Sequence, residues 1–100
     1  MDQKSLMEKV LAMSRAIEHA AQMADWIEVQ RLVDARSPHL MSIAPEQTPE
    51  TLALIRNVQA IDAAVCAAAR DAQAGLQVEY RAAMNRLNAA NAYQAAAAQF

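Results

Sequence analysis

The chain has 100 residues, 55% of them hydrophobic, a net charge of −2, and one glycine, three prolines and one cysteine. That length fits a single domain, and nine thinly spread Lys/Arg give no basic stripe for nucleic acid or an acidic membrane surface. The lone Cys66 excludes an intramolecular disulfide and fits a reducing cytoplasm.

The hydrophobic fraction overstates the core. Of the hydrophobic residues, 25 are alanine, and each buries one methyl where a leucine buries four carbons, at roughly 0.8 kcal/mol per CH₂. The larger apolar side chains concentrate before residue 66, so the C-terminal part is expected to be weakly held. Runs of β-branched residues are scarce, while alanine, glutamine, leucine and arginine favour helix. The chain therefore reads as all-α. No segment approaches the apolar length of a membrane span, and Met1-Asp2-Gln3-Lys4 does not open a signal peptide.

Helix 1 is expected over about residues 3–23, with Leu6, Val10, Met13, Ile17, Ala20 and Ala24 on one seam and Met7, Leu11 and Ala21 beside it. Helix 2 is expected over about 26–44. Asp25 with Glu28 three residues on is a capping-box pattern, which makes Ala24–Asp25 a tight turn between antiparallel helices. Trp26, Val29, Val33, Leu40 and Ile43 face inward, and Trp26 is the expected anchor of the corner. Arg36 interrupts this face and Pro38 should kink the helix without ending it.

After the loop Ala44–Pro49, Thr48 caps helix 3 and Pro49 takes its first position. The seam Leu54, Val58, Ile61, Val65, Ala68, Ala72, Leu76, Tyr80, Ala83, Leu87 and Ala90 advances in steps of three and four and faces the first two helices. Asp62 interrupts it, and counting along antiparallel helices brings Asp62 within a turn of Arg36, an expected register-fixing ion pair. Helices 1 and 2 span about 30 Å each, so helix 3 outruns them after roughly Ala69. Gly75 weakens it, and Asn85–Asn91, with three asparagines, is the expected break. Helix 3 then covers about 49–86, and a short helix over about 89–98 follows, anchored only by Tyr93 and Phe100. From about Asn88 this segment would be a displaceable cover over the helix 2–helix 3 groove. The fold expected is an antiparallel bundle of three main helices plus a short, weakly docked C-terminal helix, in one domain spanning 1–100.

No catalytic constellation is present, and an enzyme is not expected. His19 and His39 sit on different helices without cysteine or paired carboxylates at ligand spacing, and no cofactor or metal is expected. His19 and Met23 share a helix face, so a metal- or haem-binding bundle would require His19 to point inward. Cys66 reads as a small buried or half-buried filler.

Ala24-Asp25-Trp26-Ile27 opening helix 2, Leu-Met-Ser-Ile at positions 40–43, and Asn91-Ala92-Tyr93 near the end together resemble the flagellar export chaperones of the FliT type. The resemblance covers most of the chain. Pro38 and the alanine-heavy second half depart from the family's pattern. It implies a cytoplasmic chaperone that binds the helical C-terminal segment of the filament-cap protein and delivers it to the type III export machinery. Implied partners are the cap protein, the export ATPase complex, the export gate and, in some members, a flagellar transcription regulator, with no direct nucleic-acid contact and no membrane insertion. The expected cargo groove is the face carrying Val58, Ile61, Val65, Ala69, Ala72 and Leu76. Tyr93 stands where the family's tyrosine docks on the export gate, and Asp25, Trp26, Arg36 and Asp62 are structural. The competing class is a homo-oligomeric coiled-coil module with no export role, and a homodimer stays open.

Overall fold

The computed structural model describes residues 2–98 and is all-helical, with three helices and no strand among those residues. Helix α1 runs Gln3–Gln22. Asp2 caps it by accepting the Ser5 N–H at 2.7 Å, and this bond holds the Asp2 carboxyl below the usual carboxylate range. Helix α2 runs Trp26–Met41 and helix α3 runs Pro49–Ala97.

The α1–α2 joint is a two-bond helix stop. The Asp25 N–H reaches the Ala20 carbonyl and the Ala24 N–H reaches the Ala21 carbonyl, with Ala24 in the left-handed region at φ 55°. Glycine takes this conformation without the Cβ penalty that alanine meets. Ala24→Gly should therefore raise stability by about 0.5–1 kcal/mol in urea titrations, and a destabilised variant would refute that account of the turn. Asp25 does cap α2 through the Glu28 N–H at 3.1 Å. The reciprocal half of the capping box is not made, because the Glu28 carboxylate is taken by Arg31 one turn on.

Helix α2 continues through Pro38, but it ends at Met41 rather than near residue 44. Ser42 closes it, its N–H returning to the His39 carbonyl while the Ile43 N–H returns to the Leu40 carbonyl, and Pro45 disfavours helical backbone at Ala44. Thr48 then caps α3, accepting the Thr51 N–H at 3.2 Å, with Pro49 in first position.

Among the described residues there is no separate fourth helix. α3 passes through Gly75 and through Asn85–Asn91 without a break and ends only at Ala97. One glycine costs a helix about 1 kcal/mol and each asparagine less, and the alanines, leucines and arginines between them outweigh both. The proposed cover falls with it, since residues 88–97 are exposed helix continuing α3. Phe100, its second expected anchor, lies outside the described residues. The long helix also corrects the membrane reading: by length and mean hydropathy (1.4 over its best window) α3 is long and apolar enough to cross a membrane, although alanine supplies much of that value.

By internal contacts the chain divides into two units, one ending at Ala69 and one beginning at Arg70. The core lies in the first. Leu6, Met7, Val10 and Leu11 of α1 pack with Val58 of α3, and Leu40, Ile43, Leu54, Ile55 and Ile61 close around them. Trp26 is only half-buried and is not part of this cluster, so the α1–α2 corner depends on it less than its size suggests. Ala24, placed on the α1 seam by spacing, is exposed in the turn. The second unit is the remainder of α3.

Candidate partner-binding site

One buried polar chain ties the helices of the first unit together. Arg36 is the sole buried residue of α2, and its Nη1 donates to Asp62 Oδ1 and to Ser14 Oγ, each at 2.8 Å. Ser14, fully buried, donates in turn to the Val10 carbonyl at 2.8 Å. The side chain of Asp62 keeps 39% of its exposure, so the ion pair sits at the edge of the core. Ser14 was not singled out from the sequence. A serine in an otherwise apolar α1 seam, one turn from Val10, is the signal that a buried polar partner lay opposite.

At the other end of α1, Gln3 accepts the Ala44 N–H at 3.0 Å and a Gln47 amide at 2.8 Å, while Lys4 meets Glu50 at 3.0 Å. The exposed Lys4 ammonium is held above its usual range by that hydrogen bond to Glu50.

The expected cargo residues are not one surface. Val58 is buried in the core, Ile61 and Val65 are half-buried, and Ala69 is exposed at the end of the first unit. Ala72 is half-buried and Leu76 exposed in the second. Val65, with Ala64 and Ala68, lines a groove of about 180 Å³ against Glu18, Ala21 and Gln22. A second groove of about 400 Å³, between α1 and α2, is lined by Ala16, His19, Ala20, Met23, Asp25, Glu28 and Leu32. His19 is exposed at its rim, not directed inward as a haem or metal site would require. Cys66 is exposed as well, contrary to its reading as a filler, because it falls one residue past Val65 and off the packed face.

The most apolar open surface is on the second unit. Leu76, Val78, Tyr80, Leu87 and Tyr93 are all more than half exposed. The seam written through Leu76, Tyr80 and Leu87 is real in spacing, but these three side chains are exposed and not packed as expected. Tyr93 is the most open of these at 77% exposure. Ile27 and Met41 on α2, both 87% exposed, were not foreseen. Leu76, Tyr80 and Leu87 share one face of α3, while Val78 lies on the opposite one and Tyr93 about a third of a turn away.

The described residues thus form a packed first unit and an exposed, apolar stretch of α3. A family model described as flagellar protein FliT matches residues 4–95. The chain belongs to this family, whose general role is that of flagellar export chaperones. No curated protein and no solved structure matches the chain significantly.

Proposed function

We propose that this protein is a cytoplasmic chaperone of flagellar type III export that holds the helical C-terminal segment of the filament-cap protein and hands it to the export apparatus. The observation that carries the reading is the exposed face of Leu76, Tyr80 and Leu87 on α3, joined to family membership. An amphipathic cargo helix laid along such a face would bury its apolar side chains at three- and four-residue spacing. Val58 is replaced in the cargo surface, since it is spent on the core. Leu76 remains, with Tyr80 and Leu87 beside it, and Ala72 permits close approach. The reading takes the first unit as an antiparallel bundle, which the contacts of Gln3 with Ser42 and of Arg36 with Ser14 and Asp62 support.

Tyr93 is assigned to docking on the export gate. An isolated ring offers a large contact area at little conformational cost, and this one is surrounded by alanine, asparagine and glutamine. The export ATPase complex is a further partner, and restraint of a flagellar transcription regulator belongs to the same proposal. Tyr93→Ala should abolish co-purification with the cytoplasmic domain of the gate while leaving the affinity for the cap-protein C-terminus within about twofold. Wild-type gate binding by the variant would remove Tyr93 from the docking role.

A further inference from the structure

The apolar stripe on the second unit has two unlike edges. Leu76, Tyr80, Ala83, Leu87 and Ala90 advance in steps of four and three, and all five are exposed. Glu79 and Arg86 lie along one edge, seven residues apart. Gln77, Met84 and Asn91 lie along the other and carry no charge. Glu79 and Arg86 are both exposed, and neither enters an ion pair among the described residues. Their own helix offers them no partner. The residues three and four positions from Glu79 are Gly75, Leu76, Ala82 and Ala83, and those around Arg86 are all alanine.

We propose that Glu79 and Arg86 are the specificity determinants of this face, selecting a partner helix with a base and an acid seven residues apart along one edge of its apolar stripe. The proposal rests on the reading of the face as one that takes a partner helix. The partner's base lies beside Glu79 and its acid beside Arg86. The apolar stripe alone sets the register poorly. A partner displaced by one heptad meets Ala83 in place of Leu76, Leu87 in place of Tyr80 and Ala90 in place of Ala83, much the same pattern. The two charges remove that ambiguity. Displacement in one direction sets the partner's base beside Arg86, and in the other its acid beside Glu79, like charge on like charge. The uncharged edge adds a second restriction. A helix whose charges fall beside Gln77, Met84 and Asn91 gains nothing from them. Exposed pairs add little affinity each, so these residues act on the choice among apolar helices that would otherwise bind alike.

The test titrates the full chain with labelled synthetic helices of about three heptads that share one leucine stripe and an otherwise uncharged surface. Each carries one lysine and one glutamate seven residues apart, on either edge of the stripe and in either order. Fluorescence anisotropy at low salt should show, for the edge that meets Glu79 and Arg86, one order bound at least about fivefold tighter than the other. The preference should shrink in about 1 M salt, where exposed charges are screened. The double variant Glu79→Arg with Arg86→Glu should reverse it, with helix content and melting temperature unchanged. The variant carrying Leu76→Asp and Leu87→Asp should lose binding of every probe. Equal affinity for both orders on both edges, or a double variant that keeps the native preference, would overturn the proposal and leave helix binding by this face intact. If the native chain binds no probe, or the variant with two aspartates binds them equally well, the helix-binding reading of the face fails and the proposal fails with it.

Discussion

Replacing Arg36 with alanine is expected to lower the stability of the first unit by about 2–3 kcal/mol, measured by urea unfolding. The variant would leave Ser14 Oγ, buried completely, without its donor, and Asp62 without its cation. Breaking a fully buried pair costs more, but Asp62 is open enough for water to replace the guanidinium in part. The instructive comparison is a triple variant, Arg36→Met with Asp62→Leu and Ser14→Ala, which removes the polar chain whole. That variant should be as stable as the native chain or more so, because no desolvated group is left behind. An Arg36→Ala variant within 0.5 kcal/mol of native (a loss of the size usual for surface changes) would show that the pair adds little.

Truncation of Met7 to alanine should cost about 3 kcal/mol, more than truncation of Trp26. Met7 is 1% exposed and lies in the cluster with Val10, Leu11 and Val58, so its removal empties a space that three helices surround. Trp26 is larger but half-buried, and part of its surface is already in water. With a core this small, a loss of that size is a large share of the total stability. Melting curves of the two variants decide the order. If Trp26→Ala melts lower than Met7→Ala, the corner and not the Met7 cluster carries the fold.

The sequence was most legible where spacing and capping agree. The three- and four-residue steps of α1 predicted its buried face, and Asp25, Thr48 and Pro49 marked two helix starts. The juxtaposition of Arg36 and Asp62 followed from counting along helices outward from a single loop. Other features depended on competitions that spacing does not record. Glu28 could bond backward to its own helix start or forward to Arg31, and Arg31 won. Three asparagines favour a turn, but the surrounding alanines and arginines favour helix, and no glycine–proline stop forces the issue. A seam with helical periodicity says which side chains share a face, not whether anything covers them. That is why Val58 and Leu76, on one written seam, have opposite fates: one is core and the other is open to water. The exposure of Cys66 has the same origin, since a one-residue step turns a side chain by about 100° around the helix.

The central claim is that the open face of α3 receives the cap protein's C-terminal helix. Its most direct test is calorimetric titration of the full chain with that peptide, beside a variant carrying Leu76→Asp and Leu87→Asp. The account predicts saturable binding by the native chain and a loss of at least about tenfold for the variant, with the melting temperature of the first unit unchanged. No binding by the native chain, or equal affinity for both proteins, would contradict it.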